Sequence, residues 1–287
     1  MEDQAERLRE KLQQHSNINT KTIAVISGKG GVGKSNVSLN FSITLHNKGH
    51  KVLLVDMDIG MGNIDILLGS SSMYSIADFF TNGVPLKNMI TVIPGGIHYI
   101  SGGTGLTQLT KITEESLQDF FEQFSNLVND YDYVIFDMDA GMSESSLRFI
   151  LTVDEVIVIT TCEPTSITDA YAAMKYITLT NKTIPFIIIV NRAQTEQEGI
   201  DTYQRISKVL DHFLEKGSIL LGVLPEDPII PQAVKKQTPF IQLNEKAPAS
   251  MALFSMVEKY RQQEFDRPAY FKKPNFVVRL KQFLFER

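Results

Sequence analysis

Eight consecutive residues near the start of the chain have the types and the spacing that could hold phosphate groups. They read Gly28-Lys29-Gly30-Gly31-Val32-Gly33-Lys34-Ser35, after the apolar run 22–27 and before a helix-like segment that starts at Asn36. Glycines in such a turn let successive backbone N–H groups point at phosphate oxygens, and the helix dipole adds attraction. Lys34 is expected to contact the β- and γ-phosphates, and the Ser35 hydroxyl to ligate Mg²⁺. An ordinary glycine turn is the alternative.

The loop carries a second lysine, Lys29, although one lysine is enough for the phosphates of one nucleotide. With it, the run matches every position of the deviant Walker A motif Lys-Gly-Gly-x-Gly-Lys-Ser/Thr, so the chain resembles the MinD/ParA family of P-loop ATPases. The resemblance implies ATP/ADP and Mg²⁺ as cofactors, ATP hydrolysis and an ATP-dependent homodimer. It also implies that Lys29 reaches across the dimer to the partner's nucleotide. A solvated loop lysine is the alternative.

Acidic residues follow two predicted strands and would complete the site around the phosphates. Asp58 follows strand 51–56, and the resemblance makes it the hydrolysis and first-switch residue, with Asp56 a metal-shell or structural carboxylate. Asp137 ends strand 132–137 in a Walker B pattern, in which the acid reaches Mg²⁺ directly or through water. A turn or helix-capping acid is the alternative for Asp56 and Asp58. The predicted catalytic residues are Lys29, Lys34, Asp58 and Asp137, and the predicted metal ligands are Ser35, Asp58 and Asp137.

The segment after the Walker B acid departs from the family pattern at one position. It reads Met138-Asp139-Ala140-Gly141, where the family usually has a proline in place of Asp139. This exchange removes a restraint on φ and adds a charge near the site of an anion. By resemblance, the backbone amide of Gly141 lies near the γ-phosphate. The exchange is therefore expected to affect the position of this second switch loop and the turnover rate.

The residues after strand 184–190 favour adenine over guanine as the bound base. Guanine selectivity in P-loop GTPases needs Asn-Lys-x-Asp, whereas this chain has Asn191-Arg192-Ala193-Gln194 and lacks the aspartate. By resemblance, Asn191 and Arg192 contact the adenine edge, and Pro225 and Glu226 belong to a second base-contacting loop. A plain strand-end cap is the alternative role for Asn191.

Apolar, β-branched segments alternate with helix-like segments through most of the chain. In chain order we predict strand 22–27, helix 34–48, strand 51–56, helix 113–129, strand 132–137, helix 143–151, strand 155–160, helix 166–180, strand 184–190, a helix near 198–214 and strand 218–223. Continuous apolar strands between helices predict an α/β fold with a mostly parallel, twisted sheet and helices on both faces. Ligands bind at the carboxyl ends of such strands, where the predicted site residues lie. An irregular stretch holds the glycines of 93–96 and 101–103.

The two ends of the chain are predicted to form separate segments around a central domain. We expect an N-terminal helix and linker in 1–20, the ATPase domain in 21–265 and an amphipathic helix in 266–287. Bulky apolar residues fall on one side of that last helix and suit reversible binding to a membrane surface, while Arg279 faces away. They are Phe276, Val277, Leu280, Phe283 and Leu284. Packing of this helix on the domain is the alternative, and it is compatible with release upon ATP binding.

A short motif in the N-terminal segment distinguishes this chain from other members of the family. Residues 3–9 read Asp-Gln-Ala-Glu-Arg-Leu-Arg and resemble the Asp-Gln-Ala-x-x-Leu-Arg motif of the flagellar FlhG group (YlxH, FleN). That resemblance implies control of flagellar number and placement, with the GTPase FlhF and flagellar switch-complex proteins as partners. Gln4 is the candidate to act in trans in FlhF, and Leu8 lies on the apolar face that would dock. A MinD-type division-site ATPase is the alternative.

Composition narrows the remaining classes. The net charge of -5 and the pI of about 5.6 disfavour a ParA-type partition ATPase, so no specific nucleic acid is expected as a partner. Cys162 is the only cysteine, which excludes a cysteine-paired cluster such as that of nitrogenase iron protein and fits a reducing cytosol. No apolar run approaches the roughly 18 residues of a membrane span. We therefore expect a cytoplasmic protein that binds the inner face of the cell membrane reversibly.

Overall fold

One sheet runs through the part of the chain that the structure describes. The computed structural model describes residues 20–58, 62–103, 113–262 and 275–285. The described strands are β1 (Lys21–Ser27), β2 (Val52–Asp56), β3 (Thr91–Val92), β4 (His98–Ile100), β5 (Tyr133–Asp137), β6 (Glu155–Thr161), β7 (Phe186–Ala193) and β8 (Ser218–Pro225). Their order in the sheet is β3-β4-β2-β5-β1-β6-β7-β8, and neighbours are parallel except β3 and β4.

Helices cover both faces of this sheet, because the strands direct their side chains alternately to two apolar cores. The described helices are α1 (Lys34–Asn47), α2 (Asn63–Leu68), α3 (Ile76–Asn82), α4 (Leu86–Met89), α5 (Glu114–Val128), α6 (Glu144–Ile150), α7 (Pro164–Thr180), α8 (Glu196–Leu214), α9 (Ile229–Lys235), α10 (Phe240–Leu243), α11 (Pro248–Gln262) and α12 (Phe276–Phe285). On β1, Ala24 and Ile26 enter the core shared with α3 to α8 and α12. Ile23 and Val25 enter the core shared with α1, α2 and α9 to α11. The predicted fold class is confirmed.

Most element bounds differ from the predicted ones by one or two residues. The larger differences are in two stretches for which no helix or strand was predicted. The stretch 63–100 holds α2 to α4, β3 and β4 and includes the irregular segment expected at 93–96, and the stretch 229–262 holds α9 to α11. The strand β7 begins after Pro185, and it continues to Ala193, three residues beyond its predicted end. This extension brings Asn191 into the sheet, where it pairs with Thr161 of β6. The predicted helix in residues 1–14 lies outside the described residues.

The C-terminal helix α12 packs on the core that it shares with α3 to α8. Phe276 and Leu280 are buried, and the Phe276 ring centroid lies 5.7 Å from that of Phe136 on β5. The Phe283 ring lies 6.0 Å from that of Phe149 on α6. Val277 and Leu284 are partly buried against the same core. The alternative of a docked helix therefore describes this structure, and the apolar face faces the domain.

Arg279 holds the same helix to the amino ends of the strands. Its guanidinium pairs with Asp154, and its Nε donates to the Thr152 carbonyl oxygen at 2.6 Å. Asp154 also accepts bonds from the backbone N–H and the hydroxyl of Thr22 on β1, at 2.9 and 2.7 Å. Arg279 lies away from the apolar side on the helical wheel, and it contacts the domain nonetheless, because its guanidinium reaches Asp154 beside the start of β6. Within the described ranges, every helix is too short or too polar to span a bilayer.

Candidate nucleotide-binding site

The phosphate loop connects the carboxyl end of β1 to the first turn of α1. Gly33 precedes α1 in a left-handed conformation (φ 89°), which favours glycine, and no side chain caps this helix. The first N–H groups of α1 are therefore left for another acceptor, as an anion-binding helix start requires. Gly31 is also left-handed, with φ 78°. The loop thus has the local conformation that its sequence predicts.

Gly28 has a packing role in addition to its place in the loop. A Cβ atom built on Gly28 would lie 2.1 Å from the backbone carbon of Asp169 on α7. Only a residue without a side chain allows α7 to come this close to the loop. Gly30 is different, because a Cβ there would meet its nearest neighbour, the Ala140 side chain, at 3.8 Å.

Lys34 and the Walker B acid form a buried pair below the loop. The Lys34 Nζ lies 2.8 Å from Asp137 Oδ1, and the Ser38 hydroxyl donates to the same oxygen at 2.8 Å. Asp137 is fully buried, and its Oδ2 finds no hydrogen-bond partner among the described residues. A buried carboxylate oxygen without a hydrogen-bond partner costs free energy unless a bound ligand supplies that partner. The Ser35 hydroxyl lies 3.4 Å from Lys34 Nζ, so an oxygen donor set suited to Mg²⁺ is present here.

Asp56 and Asp58 add negative charge at the same edge of the sheet. Asp56 lies opposite Asp137 in the β2–β5 register, and burial together with the Asp137 charge raises the pKa of Asp56 to about 7. Burial also raises the pKa of Asp58, against the effect of Lys34. Asp58 accepts a hydrogen bond from Asn63 at 3.0 Å. This concentration of carboxylates favours binding of a cation along with any phosphate.

Lys29 lies outside this cluster of charges. Its Nζ pairs with Glu163 and lies 3.0 Å from the Thr165 hydroxyl, at the start of α7. The hydrogen bond and charge of Lys29 hold the pKa of Glu163 below its usual range. The side chain of Glu163 is 63% exposed, so water weakens this pair. Lys29 is therefore held by its own chain through contacts that it can exchange.

The second switch loop is tied to both β1 and α6. The Gly141 amide donates to the Ser27 carbonyl oxygen at 3.3 Å, and Gly141 has φ 88°. Asp139, which replaces the usual proline, accepts a hydrogen bond of 2.8 Å from the Ser146 hydroxyl in α6. The extra charge thus has a local partner, although it still raises the pKa of Asp58.

Asn191 is buried against the phosphate loop. Its Nδ2 donates to the Val32 carbonyl oxygen at 2.8 Å, and its Oδ1 accepts from the Arg192 backbone N–H at 3.0 Å. Asn191 therefore fixes the loop, and its contact with adenine remains a prediction. Arg192 has φ 56°, a conformation unusual for a side chain of this size, and strain of this kind concentrates at functional sites.

The second base-contacting loop lies beside the first. Ala193 pairs with Pro225 in the β7–β8 register, and the Glu226 amide donates to the Ala193 carbonyl oxygen at 2.9 Å. The Gln194 side chain bonds to the Glu226 carboxylate. The structure therefore brings Asn191, Arg192, Pro225 and Glu226 together, at the carboxyl edge that also carries the phosphate loop.

Sequence reasoning missed several side chains that hold the site. Ser38 follows Lys34 by one helical turn, and that spacing could have placed its hydroxyl near the same acid. Glu163 follows β6 at the carboxyl edge of the sheet, so the rule for the other strand ends could have found it. Ser146 gave no signal, because serine is common in a first helical turn. Gln4 and Leu8 lie outside the described residues, and the predicted membrane residues lie on α12.

Comparisons with known proteins agree with this geometry. The family model described as ParA, NUBPL iron-transfer P-loop NTPase matches residues 18–261. The antiactivator FleN of Pseudomonas aeruginosa is 32% identical over 239 residues, or 83% of this chain and 85% of that protein. The flagellum site-determining protein YlxH of Helicobacter pylori is 34% identical over 76% of this chain and 74% of that protein. The septum site-determining protein MinD of Pyrococcus horikoshii, solved with Mg-ADP, superposes with a TM-score of 0.70 at 23% identity, over 88% of this chain and all of that chain.

Proposed function

The chain belongs to the ParA/MinD family of P-loop NTPases, and on this premise we propose that it is a dimerising switch that controls flagellar number and placement. It is a P-loop ATPase that uses ATP and Mg²⁺. The observation that carries the proposal is the pair of lysines in one loop. Lys34 is buried on Asp137, whereas Lys29 is partly exposed and pairs with the exposed Glu163, a contact that it could exchange for a second nucleotide. The flagellar role is supported by the similarity to FleN and YlxH.

The dimer is tested with a variant that slows hydrolysis. In Asp58→Ala the ATP state should persist, so size-exclusion chromatography with ATP and Mg²⁺ should show a dimer, and ADP should give the monomer. The matched control is the double variant Asp58→Ala/Lys29→Ala, which should be a monomer because the lysine that crosses the interface is missing. A monomeric Asp58→Ala protein in ATP would contradict the proposal.

The N-terminal segment is proposed to stimulate the GTPase FlhF. Gln4 would orient the attacking water in the partner's site, as a glutamine does in other GTPases. A peptide of residues 1–20 should accelerate single-turnover GTP hydrolysis by FlhF, Gln4→Ala should lose most of that effect, and Leu8→Ala should weaken docking. No acceleration at saturating peptide would favour the MinD-type division-site alternative. A pull-down with flagellar switch-complex proteins tests the remaining partners.

Membrane attachment through α12 is proposed to require the ATP dimer. The helix carries few large apolar residues, at roughly 1.5–3 kcal/mol each at most, so a single copy should bind a lipid surface only marginally. Two copies on one dimer gain avidity. Deletion of residues 275–287 should release ATP-loaded protein from anionic liposomes whose surface charge matches that of the inner leaflet of the cell membrane. Sedimentation equal to that of the full chain would make α12 a permanent part of the domain.

Iron transfer, named in the description of the matching family model, is not favoured. The chain has one cysteine, so a single copy cannot supply a cysteine pair for a shared cluster. Purified protein reconstituted with iron and sulfide should therefore show no cluster absorbance.

A further inference from the structure

The hydroxyl of Ser38 contacts a different kind of acceptor from the hydroxyl of Ser42, which lies one turn later in α1. Ser42 donates to the Ser38 carbonyl oxygen of its own helix at 2.7 Å. The Ser38 hydroxyl lies 3.1 Å from the equivalent helical acceptor, the Lys34 carbonyl oxygen, and 2.8 Å from Asp137 Oδ1 on β5. Its single proton goes to the shorter contact, because hydrogen bonds to an ionised carboxylate are the stronger ones. Ser38 therefore donates out of its helix, to a predicted metal ligand.

Both described side-chain donors to Asp137 contact the same carboxylate oxygen. Lys34 Nζ also lies 2.8 Å from Oδ1, whereas Oδ2 has no hydrogen-bond partner among the described residues. The side chains of Lys34, Ser38 and Asp137 are all buried, so bulk water does not replace either donor. The two bonds fix the plane of the carboxylate and leave Oδ2 for a cation, directly or through water.

Lys34 is expected to give up this contact when a nucleotide binds. Its Nζ lies against two oxygens of predicted Mg²⁺ ligands, at 2.8 Å from Asp137 Oδ1 and 3.4 Å from the Ser35 hydroxyl. In a nucleotide-bound P-loop the lysine contacts the β- and γ-phosphates, and Mg²⁺ supplies the positive charge beside the acid. Of the two described donors, only Ser38 can then remain on Asp137, because its hydroxyl has no phosphate to follow.

We propose that Ser38 is a positioning residue of the Mg²⁺ site, whose hydrogen bond holds the Asp137 carboxylate in place while Lys34 moves to the phosphates. Without this hydroxyl, the carboxylate is free to rotate about its Cβ–Cγ bond once Lys34 has left. Loss of such a partner of a metal ligand typically lowers metal affinity by about 10–100-fold. Ser38 does not touch the phosphate loop's ligand, so binding of the nucleotide alone is unaffected. The inference rests on the use of ATP and Mg²⁺, and the flagellar role does not enter it.

The first test measures binding of Mn²⁺, a probe of oxygen-ligated Mg²⁺ sites, to the full chain saturated with ADP, by electron paramagnetic resonance. Ser38→Ala should weaken Mn²⁺ binding about tenfold or more, whereas ADP binding measured in EDTA should stay unchanged. Ser42→Ala is the matched control, because it removes a buried hydroxyl that donates within the same helix, and it should leave both affinities unchanged. Equal Mn²⁺ affinities for the two variants would overturn the proposal, since the Ser38 proton would then belong to the helical carbonyl oxygen.

The second test separates positioning from a purely structural role. In Ser38→Ala the Mg²⁺ concentration for half-maximal ATP hydrolysis should rise about tenfold, and kcat should recover at saturating Mg²⁺. Ser38→Thr keeps a hydroxyl at this position and should retain the Mn²⁺ affinity of the unaltered chain. Thermal unfolding checks that each variant is folded at the assay temperature, and the comparison of the two alanine variants stands without the threonine variant.

Two results of the second test would overturn the proposal. One is a loss of kcat in Ser38→Ala that saturating Mg²⁺ does not restore. The other is a folded Ser38→Thr protein that binds Mn²⁺ as weakly as Ser38→Ala does. The measurement with ADP and Mn²⁺ needs no dimer, no FlhF and no lipid surface, so its failure leaves the proposed function to its own assays.

Discussion

Lys29 and Lys34 share one loop, but Lys34 is buried and Lys29 is partly exposed. Removal of each side chain should therefore change a different property of the protein. Lys34→Ala leaves the buried Asp137 carboxylate without its cation, which should cost about 3–5 kcal/mol of folding stability without nucleotide. Lys29→Ala should leave stability nearly unchanged and abolish the ATP dimer. Urea unfolding and size-exclusion chromatography measure the two effects. Similar unfolding midpoints for both variants would contradict the burial argument.

Asp56 should make the protein lose stability as the pH rises. An acid whose pKa rises from 3.8 to about 7 on folding binds protons in the folded state that the unfolded chain has released. Its stabilising contribution is therefore present below the lower value and is lost as the pH rises through the higher one. Asp56→Asn should flatten this loss, as measured by urea unfolding in EDTA at about pH 5 and about pH 7.5. If the free energy of unfolding of Asp56→Asn fell with pH as steeply as that of the unaltered chain, the raised pKa of Asp56 would be contradicted.

At the scale of single residues, the sequence predicted which charged groups lie at the site better than it predicted the groups that contact them. Asp58, Asp137 and Lys34 lie where strand ends and the Walker motifs indicate. The buried contact of Asn191 with Val32 could not be read from the chain, because it joins residues that are far apart in sequence. The contact of Asp139 with Ser146 was also missed. The departure from the family pattern shows that a charge has been added, but it does not show which residue binds that charge.

At the scale of elements, the approach of α7 to the phosphate loop should distinguish two neighbouring glycines. Gly28→Ala should shift α7 or the loop, because its Cβ would lie 2.1 Å from backbone. The melting temperature should fall and nucleotide binding should be lost. Gly30→Ala is the control, since its nearest neighbour is at 3.8 Å and its φ is not left-handed. Thermal unfolding followed by circular dichroism would contradict the argument if Gly28→Ala were as stable as Gly30→Ala.

The docking of α12 should depend on one arginine. Arg279→Ala removes the pair with Asp154 and the bond to Thr152, so amides in 276–285 should exchange faster and binding to anionic liposomes should need less ATP. Lys281→Ala on the exposed side of the same helix is the control. Equal exchange in both variants would show that the aromatic contacts alone hold the helix.

Long, strongly patterned elements were predictable and short ones were not. The parallel strands β1, β5 and β6 have continuous apolar runs that few other structures produce. Two- and three-residue strands such as β3 and β4 contain too few residues for a pattern. Their pairing decides them, since β4 pairs with β2 and β3 pairs with β4. The docked position of α12 needed tertiary contacts, because an amphipathic face predicts burial without specifying the partner.

At the scale of the whole molecule, the nucleotide edge and α12 are joined by packed side chains. The Phe149 ring on α6 lies 4.9 Å from that of Phe136 and 6.0 Å from that of Phe283. A γ-phosphate that draws the Gly141 amide away from Ser27 would act on α6 through the loop. ATP with Mg²⁺ should therefore speed hydrogen exchange of residues 276–285 in Asp58→Ala, whereas ADP should not. Identical exchange in both nucleotides would contradict this coupling.

The strand order also has a consequence for biosynthesis. Among the described strands β1 is made first, yet its neighbours in the sheet are β5 and β6, and β6 ends at Thr161. On the ribosome, the phosphate loop therefore emerges before the strands that flank β1 in the sheet. More than half of the chain must be synthesised before both of these strands are present. Chains fold as units during synthesis, so the nascent protein should acquire nucleotide affinity only after β6 leaves the exit tunnel. Truncated nascent chains released before that point should remain substrates for chaperones.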